Sequence, residues 1–108
     1  MQQLTTEQLI EKINNKENFV LDLYATWCGP CKMMLYNLEK VNESLISEST
    51  SSPKYSIYKF DIDTDKEFVV SELGIRSVPT IKIFKEGKET FSKPGVMTAP
   101  EVLNLLKD

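Results

Sequence analysis

The feature that most constrains the fold is an apolar run that passes directly into an amphipathic segment. Residues 19–25 (Phe-Val-Leu-Asp-Leu-Tyr-Ala) have the length and the nearly continuous apolarity of a strand covered on both faces. From Pro30 onward, apolar residues recur every three or four positions. This period predicts a helix that ends near Ile46 and carries Pro30 in its first turn. A buried strand that leads straight into a helix is typical of an α/β fold.

Three further helices are predicted from capping boxes, in which a threonine hydroxyl and a Glu or Gln side chain satisfy the free N–H groups of a first turn. The pairs with this spacing are Thr5 with Gln8, Thr64 with Glu67, and Thr98 with Glu101. Gly74 is expected to end the second of these helices, because glycine readily adopts the left-handed conformation that follows a helix.

Strands are predicted between the helices. Residues 55–62 are rich in aromatic and β-branched side chains, and residues 80–84 and 89–91 flank a turn in which Gly87 supplies a positive φ. Residues 2–4 have the length of a very short edge strand. The chain is therefore expected to be one domain over residues 1–108, with a mixed sheet of four to five strands flanked by four helices. The low-complexity residues 47–53 are interpreted as a surface connection.

Composition excludes several classes of function. Among 108 residues, 13 Lys plus Arg face 16 Asp plus Glu, and a net charge of -3 has the wrong sign for binding nucleic acid. The absence of histidine excludes a Ser-His-Asp triad and a Cys-His protease, and two cysteines cannot supply four soft zinc ligands. No apolar stretch approaches the ~20 residues of a membrane span. The N-terminal residues lack a signal-peptide pattern, so we expect a cytoplasmic protein with no metal and no membrane contact.

The two cysteines lie where the predicted strand meets the long helix. The spacing of Cys28 and Cys31 places both sulfurs on one face of the first helical turn, close enough for a reversible disulfide. The positive end of the helix dipole stabilises a thiolate, so Cys28, beside Trp27, is expected to be the nucleophile, with Lys32 as a further source of positive charge. Two alternatives remain open, namely a zinc half-site completed by another chain and a pair of incidental buried thiols.

An acidic residue in the middle of the apolar run is the second candidate for chemistry. Asp22 is costly to bury when ionised, so its pKa should rise and allow it to exchange a proton with a buried thiol at neutral pH. Lys59, in the next predicted strand, is its candidate charge partner. The alternatives are a structural or water-facing role for Asp22 and a solvated Lys59.

A proline stands directly before a predicted strand. In Val78-Pro79 the missing N–H costs no ladder bond, and such a position can hold a cis peptide. The functional interpretation is a fixed backbone edge beside the cysteines, and the alternative is an ordinary proline at a strand start.

The hexapeptide Trp-Cys-Gly-Pro-Cys-Lys at residues 27–32 resembles the active-site sequence of the thioredoxin family, and the similarity extends over nearly the whole chain. The other matching features are Asp22, Lys59 ahead of Asp61 and Asp63, the stretch at residues 74–80 with a cis proline in the family, and Gly95. The resemblance implies a thioredoxin fold and a thiol–disulfide oxidoreductase.

The resemblance also implies a groove that holds an extended segment of a target protein, with the backbone of Val78 pairing to that segment. The implied lining residues are Trp27, Gly29, Pro30, Val78, Pro79, Gly95 and Val96. Two residues depart from the family pattern: Tyr24 stands where many members have a second tryptophan, and Pro94 where they have a small aliphatic residue. A shortened N-terminal strand is the third departure, and all three bear on groove shape and partner choice.

The Gly-Pro pair between the cysteines is similar to the reductant members of the family, whereas oxidants and isomerases typically carry a histidine there. The resemblance therefore implies a monomeric reductant of protein disulfides with a redox-active Cys28–Cys31 disulfide and no bound cofactor, recycled by an NADPH-dependent thioredoxin reductase. A disulfide oxidant or isomerase and a non-catalytic binding subunit are the alternatives.

Overall fold

The computed structural model describes residues 1–48 and 54–107. In these ranges, five strands form one sheet that four α-helices cover. The strands are β1 (Gln2–Gln3), β2 (Phe19–Tyr24), β3 (Ser56–Asp61), β4 (Thr80–Lys85) and β5 (Lys88–Pro94). The helices are α1 (Thr6–Asn14), α2 (Gly29–Glu48), α3 (Lys66–Ser71) and α4 (Ala99–Leu105), and a 3₁₀ turn spans Ile62–Thr64. The predicted sheet with four flanking helices is confirmed.

The sheet has the strand order β1-β3-β2-β4-β5. Strand β3 runs parallel to both β1 and β2, whereas β4 is antiparallel to β2 and β5 is antiparallel to β4. The mixed sheet therefore combines crossover connections in its first half with a hairpin in its second half. Strand β2 lies at the centre, so the segment that follows its carboxyl end is held by strands on both sides.

The apolar run of β2 is explained by burial on both faces of the sheet. On one face, Val20 packs with Met34 and Leu38 of α2 and with Val102 of α4. On the other face, Phe19, Leu21 and Leu23 pack with side chains that include Leu9 of α1 and Val69 of α3. Because successive strand residues point to opposite faces, a central strand between two helical layers must be apolar at nearly every position.

Two of the three predicted capping boxes are confirmed. Thr5 with Gln8 starts α1, and Thr98 with Glu101 starts α4. The box predicted at Thr64 is wrong: Asp65 is the N-cap of α3 and accepts from the N–H of Phe68 at 3.2 Å. The Thr64 hydroxyl instead donates to the carbonyl of Asp61, 2.7 Å away, and so closes the 3₁₀ turn. Thr64 and Asp65 are both residues that can cap a helix. Because the Thr64 hydroxyl closes the preceding 3₁₀ turn, Asp65 caps α3.

The hairpin between β4 and β5 has a two-residue turn, Glu86-Gly87, which is shorter than predicted. Both residues have positive φ, 54° and 78°. Two-residue turns with this backbone conformation match the right-handed twist of the two flanking strands. The turn packs against the segment that follows α1, because the N–H of Gly87 donates to the carbonyl of Glu17 at 3.0 Å. A Cβ on Gly87 would lie 2.3 Å from the carbonyl oxygen of Ile13, so this position has no room for a side chain.

The end of α2 extends beyond its predicted limit. The helix continues to Glu48 rather than ending near Ile46 and so includes the start of the low-complexity segment, whereas residues 49–53 of that segment lie outside the described residues. Short side chains such as Ser44 and Ser47 weaken the helical signal, but the Ser47 hydroxyl donates to the carbonyl of Ser44 within the helix at 3.3 Å. In the ranges that the structure describes, no helix is both long and apolar enough to cross a membrane.

Candidate active site

The two cysteines form a disulfide at the start of α2, with their Cα atoms 5.3 Å apart. Cys31 is in the first turn of the helix, but Cys28 is the residue immediately before it, so the prediction that both lie within the first turn is wrong by one residue. Helix geometry begins at Gly29, and Cys28 therefore occupies the capping position. Cys28 is 6% exposed and Cys31 3%, next to a Trp27 that is 69% exposed.

The capping position gives the Cys28 sulfur a hydrogen-bond donor. The backbone N–H of Cys31 donates to Sγ of Cys28 at 3.2 Å, as a side chain at an N-cap accepts from the first free amides of a helix. A negative charge on this sulfur would be stabilised by that N–H and by the positive end of the helix dipole. The backbone thus supplies the positive polarity that an imidazole supplies in other thiol enzymes.

Asp22 is buried on the face of the sheet that α2 covers. It is 1% exposed, and neither of its carboxylate oxygens has a hydrogen-bond partner in residues 1–48 and 54–107. Burial raises its pKa to about 7, and the positive charge of Lys59 opposes that rise. The interpretation of Asp22 as a water-facing acid is therefore excluded, and the group can gain or lose a proton near neutral pH.

A small cavity of about 230 Å³ joins this acid to the disulfide. Its walls include Asp22, both cysteines, Lys32 and Lys59. Most of the remaining wall is apolar, from Tyr24, Ala25 and Leu35. Asp22, Lys59 and the two cysteines thus line the same cavity, although they lie on two strands and at the start of a helix.

Lys59 is the register partner of Asp22 in the parallel pair β2–β3, so the two side chains lie on the same face of the sheet. The Nζ of Lys59 is 5.6 Å from the centre of the Tyr24 ring. The Tyr24 hydroxyl donates to Oε1 of Gln3 in the edge strand. The predicted charge partner is therefore half-buried beside Asp22, and its contact is with an aromatic face rather than with the carboxylate.

The predicted groove residues come from three segments that border the cysteines. Trp27, Gly29 and Pro30 are exposed, and Val78 packs against the pair from the side of the cis Val78–Pro79 bond. The third segment follows β5, where the N–H of Gly95 donates to the carbonyl of Pro79 at 2.8 Å and Val96 is 39% exposed. Pro79 itself is buried, so only its neighbours present a surface.

The sequence gives no signal for the contact that orients the exposed indole. The Nε1 of Trp27 donates to Oδ2 of Asp63 at 2.8 Å, across 36 residues of chain. Asp63 lies in the 3₁₀ turn after β3, whose N-cap is Asp61. Only the parallel alignment of β2 and β3 brings the ends of these two strands to one edge of the sheet.

Metal ions in proteins are held by clusters of His, Cys, Asp and Glu side chains. Across the described ranges, no group of three or more His, Cys, Asp or Glu side chains is placed to hold an ion. The cysteines, bonded to each other, instead form a redox couple that can open to two thiols.

Comparisons with known proteins agree with this geometry. The family model described as Thioredoxin matches residues 1–108. The thioredoxin of Malassezia sympodialis is 41% identical over 70 residues, which are 65% of this chain and 61% of that protein. The thioredoxin of Mycoplasmoides gallisepticum is 32% identical over 100 residues, 93% of this chain and 92% of that protein. A solved structure of chloroplastic thioredoxin z has a TM-score of 0.81 at 27% identity and covers 97% of this chain and 89% of its own.

Proposed function

The chain belongs to the thioredoxin family and is a thiol–disulfide oxidoreductase, and from this premise we propose a role for each residue of the site. Cys28 attacks a target disulfide as a thiolate. The target S–S bond breaks, a mixed disulfide with Cys28 forms, and one target sulfur leaves as a thiolate that takes a proton from water. The hydrogen bond from the N–H of Cys31 to Sγ of Cys28 supports this assignment most directly.

Cys31 then releases the reduced target. Its thiol gives a proton to the Asp22 carboxylate, and the Cys31 thiolate attacks Sγ of Cys28. The mixed disulfide breaks, the second target sulfur leaves as a thiolate and is protonated, and two electrons have passed to the target. Support for Asp22 as the base comes from its place on the cavity that Cys31 also lines and from its pKa of about 7.

Lys59 tunes this proton transfer rather than taking part in it. Its positive charge lowers the pKa of Asp22, against the larger effect of burial. A fully buried carboxyl without such a charge would hold its proton more tightly and would accept one from Cys31 less often at neutral pH.

Target proteins bind as extended segments in the groove formed by Trp27, Gly29, Pro30, Val78, Pro79, Gly95 and Val96. Val78 lies outside the strands and packs against the cysteine pair, which supports the proposal that its backbone pairs with an incoming segment. Main-chain pairing does not depend on side-chain identity, which suits a protein that reduces many targets.

The protein acts as a monomeric reductant in the cytoplasm, recycled by an NADPH-dependent thioredoxin reductase. One chain supplies both thiols and the acid, so a single copy is sufficient. Without a histidine between the cysteines, the oxidised form is expected to be the more stable one, which favours giving electrons away and suits a reducing compartment.

The decisive experiment is NADPH-dependent reduction of insulin disulfides in the presence of a thioredoxin reductase. We expect turnover with the wild type and none with Cys28→Ser or Cys31→Ser. A disulfide oxidant would instead have a redox potential of about -120 mV, that of the strongest periplasmic oxidants. A binding subunit would keep its biological activity when both cysteines are replaced by serine.

A further inference from the structure

The loop that joins β5 to α4 is anchored at both ends by hydrogen bonds to its backbone groups. At its start, the backbone N–H of Gly95 donates to the backbone carbonyl of Pro79. At its end, Met97 uses both of its backbone polar groups: the N–H donates to Sδ of Met34 at 3.2 Å, and the carbonyl accepts from Nδ2 of Asn37 at 2.8 Å. Val96 lies between the two anchors. The backbone of this loop is therefore fixed against Pro79, the residue before β4, at one end and against α2 at the other.

The two anchoring side chains lie on one face of α2. Met34 and Asn37 are three residues apart, so they occupy neighbouring turns on the side that faces the loop. Met34 is fully buried, and Asn37 is half-buried. The helix that carries Cys31 in its first turn thus also carries, in the following turns, the groups that hold the loop.

We propose that Asn37 and Met34 are positioning residues for substrate binding, because they fix the backbone at Met97 and with it the groove wall formed by Gly95 and Val96. This inference rests on the proposed function of those two residues in the groove. Asn37 lies two turns along α2 from the disulfide and acts through the loop, so it contributes to binding a polypeptide and not to the exchange of sulfurs.

The physical reason is the cost of an unpaired carbonyl. Met97 is 3% exposed, and its C=O would lose its donor if Asn37 were replaced by an apolar residue. A buried polar group without a partner is expensive, so the loop would shift toward water or another donor and carry Gly95 and Val96 with it. A substrate that pairs along the groove would bind more weakly, whereas a small disulfide without peptide groups would react as before.

Insulin and cystamine separate these two cases, because only insulin has a backbone to lie in the groove. Two variants change Asn37: Asn37→Leu removes the donor, and Asn37→Asp keeps the shape but presents a carboxylate to the carbonyl. The third variant, Met34→Leu, removes the sulfur acceptor. Asn42→Leu is the matched control, because it is the same substitution on the same helix at a side chain that borders a different surface, beside Met1 and Lys59.

With dithiothreitol as the electron source, we expect both Asn37 variants to raise the KM for insulin by about fivefold with kcat unchanged, and Met34→Leu to do so by a smaller factor. The rate constant with cystamine and all values for Asn42→Leu should match the wild type. Amide exchange at Val96 and Met97 should accelerate by a similar factor in the Asn37 variants, and exchange at Met97 should also accelerate in Met34→Leu, which removes the acceptor of that N–H. Asn42→Leu should leave both exchange rates unchanged.

An unchanged insulin KM in folded Asn37→Asp and Met34→Leu would overturn the proposal, as would an equal loss on insulin and cystamine. If Asn37→Leu does not fold, the other two variants decide. A wild type that reduces neither disulfide would instead contradict the proposed function, so the two failures are distinguishable.

Discussion

Asp22 and Lys59 are register partners in the central parallel strands, yet the Lys59 ammonium lies 5.6 Å from the centre of the Tyr24 ring and makes no hydrogen bond to the carboxylate. A direct ion pair would hold the pKa of Asp22 low and keep the group charged. The displaced lysine lowers the pKa only in part, burial dominates, and the pKa settles at about 7. This separation leaves the acid able to take up a proton.

Lys59→Met is expected to raise the pKa of Asp22 above its wild-type value, because the charge that opposes burial is removed. The midpoint of the pH dependence with which Cys31 releases a target from the mixed disulfide should rise together with the pKa of Asp22. The measurement is an NMR titration of the Asp22 carboxyl carbon in the oxidised protein. Lys66→Met removes the same charge from α3 and serves as the control; an equal shift in both variants would contradict a local effect of Lys59.

Asp22→Asn should stabilise the oxidised protein at neutral and alkaline pH. The pKa of Asp22 is about 7 folded and 3.8 in the reference state, so the folded protein binds the proton more tightly and loses stability as pH rises between these values. About three pKa units correspond to at most about 4 kcal/mol. Denaturant unfolding should show the gain of Asp22→Asn growing from pH ~4 to ~7 and then levelling off.

The same substitution should slow release of the mixed disulfide, because an amide cannot take the proton of Cys31. The slowing should be greater at neutral than at alkaline pH, where hydroxide removes the proton directly. Rapid-quench kinetics with a target disulfide would measure it. Equal slowing at both pH values would remove Asp22 from the proton path.

Cys31→Ser should accumulate a mixed disulfide with target proteins, whereas Cys28→Ser should accumulate none. In the first variant the nucleophile attacks but nothing resolves the product, and in the second no attack occurs from the capping position. Non-reducing electrophoresis followed by mass spectrometry of the adduct distinguishes the two. The reverse pattern would exchange the roles of the cysteines.

Asp63→Ala should free the exposed indole of Trp27, since it removes the acceptor of the Nε1 hydrogen bond. Trp27 is the single tryptophan of the chain, so its fluorescence anisotropy decay reports on the ring directly. We expect faster ring motion and a rise of about threefold in the KM for insulin. A factor of this size corresponds to the free energy that a modest hydrogen bond contributes. Asp63→Asn, which keeps an amide oxygen as acceptor, should restore both values in part.

Gly87→Ala should destabilise the fold more than Gly74→Ala. Both glycines have positive φ, 78° and 66°, and alanine costs about 1 kcal/mol in that conformation. Only at Gly87 does the added Cβ also meet backbone, 2.3 Å from the carbonyl oxygen of Ile13. Thermal unfolding should therefore show a loss about 1–3 kcal/mol larger for Gly87→Ala. Equal losses would mean that the turn moves away from α1 at little cost.

The parts of the fold that depend on neighbouring residues were predictable. The caps at Thr5 and Thr98 rest on contacts three residues apart, and the central strand and the amphipathic helix α2 each show a characteristic pattern of apolar residues over neighbouring positions. The error at Thr64 arose where two such signals overlap. Lys82 was not foreseen as buried, because its partners Glu89 and Ser92 lie on the next strand, across the hairpin.

The sequence by itself determined the α/β class, the placement of the cysteines at a strand-to-helix junction and the absence of an imidazole to activate them. Only the tertiary structure decided where Lys59 directs its charge, which residue holds the Trp27 ring and which side chains anchor Met97. These contacts join residues far apart in the chain, and their geometry follows from strand register and helix packing, which no local pattern encodes.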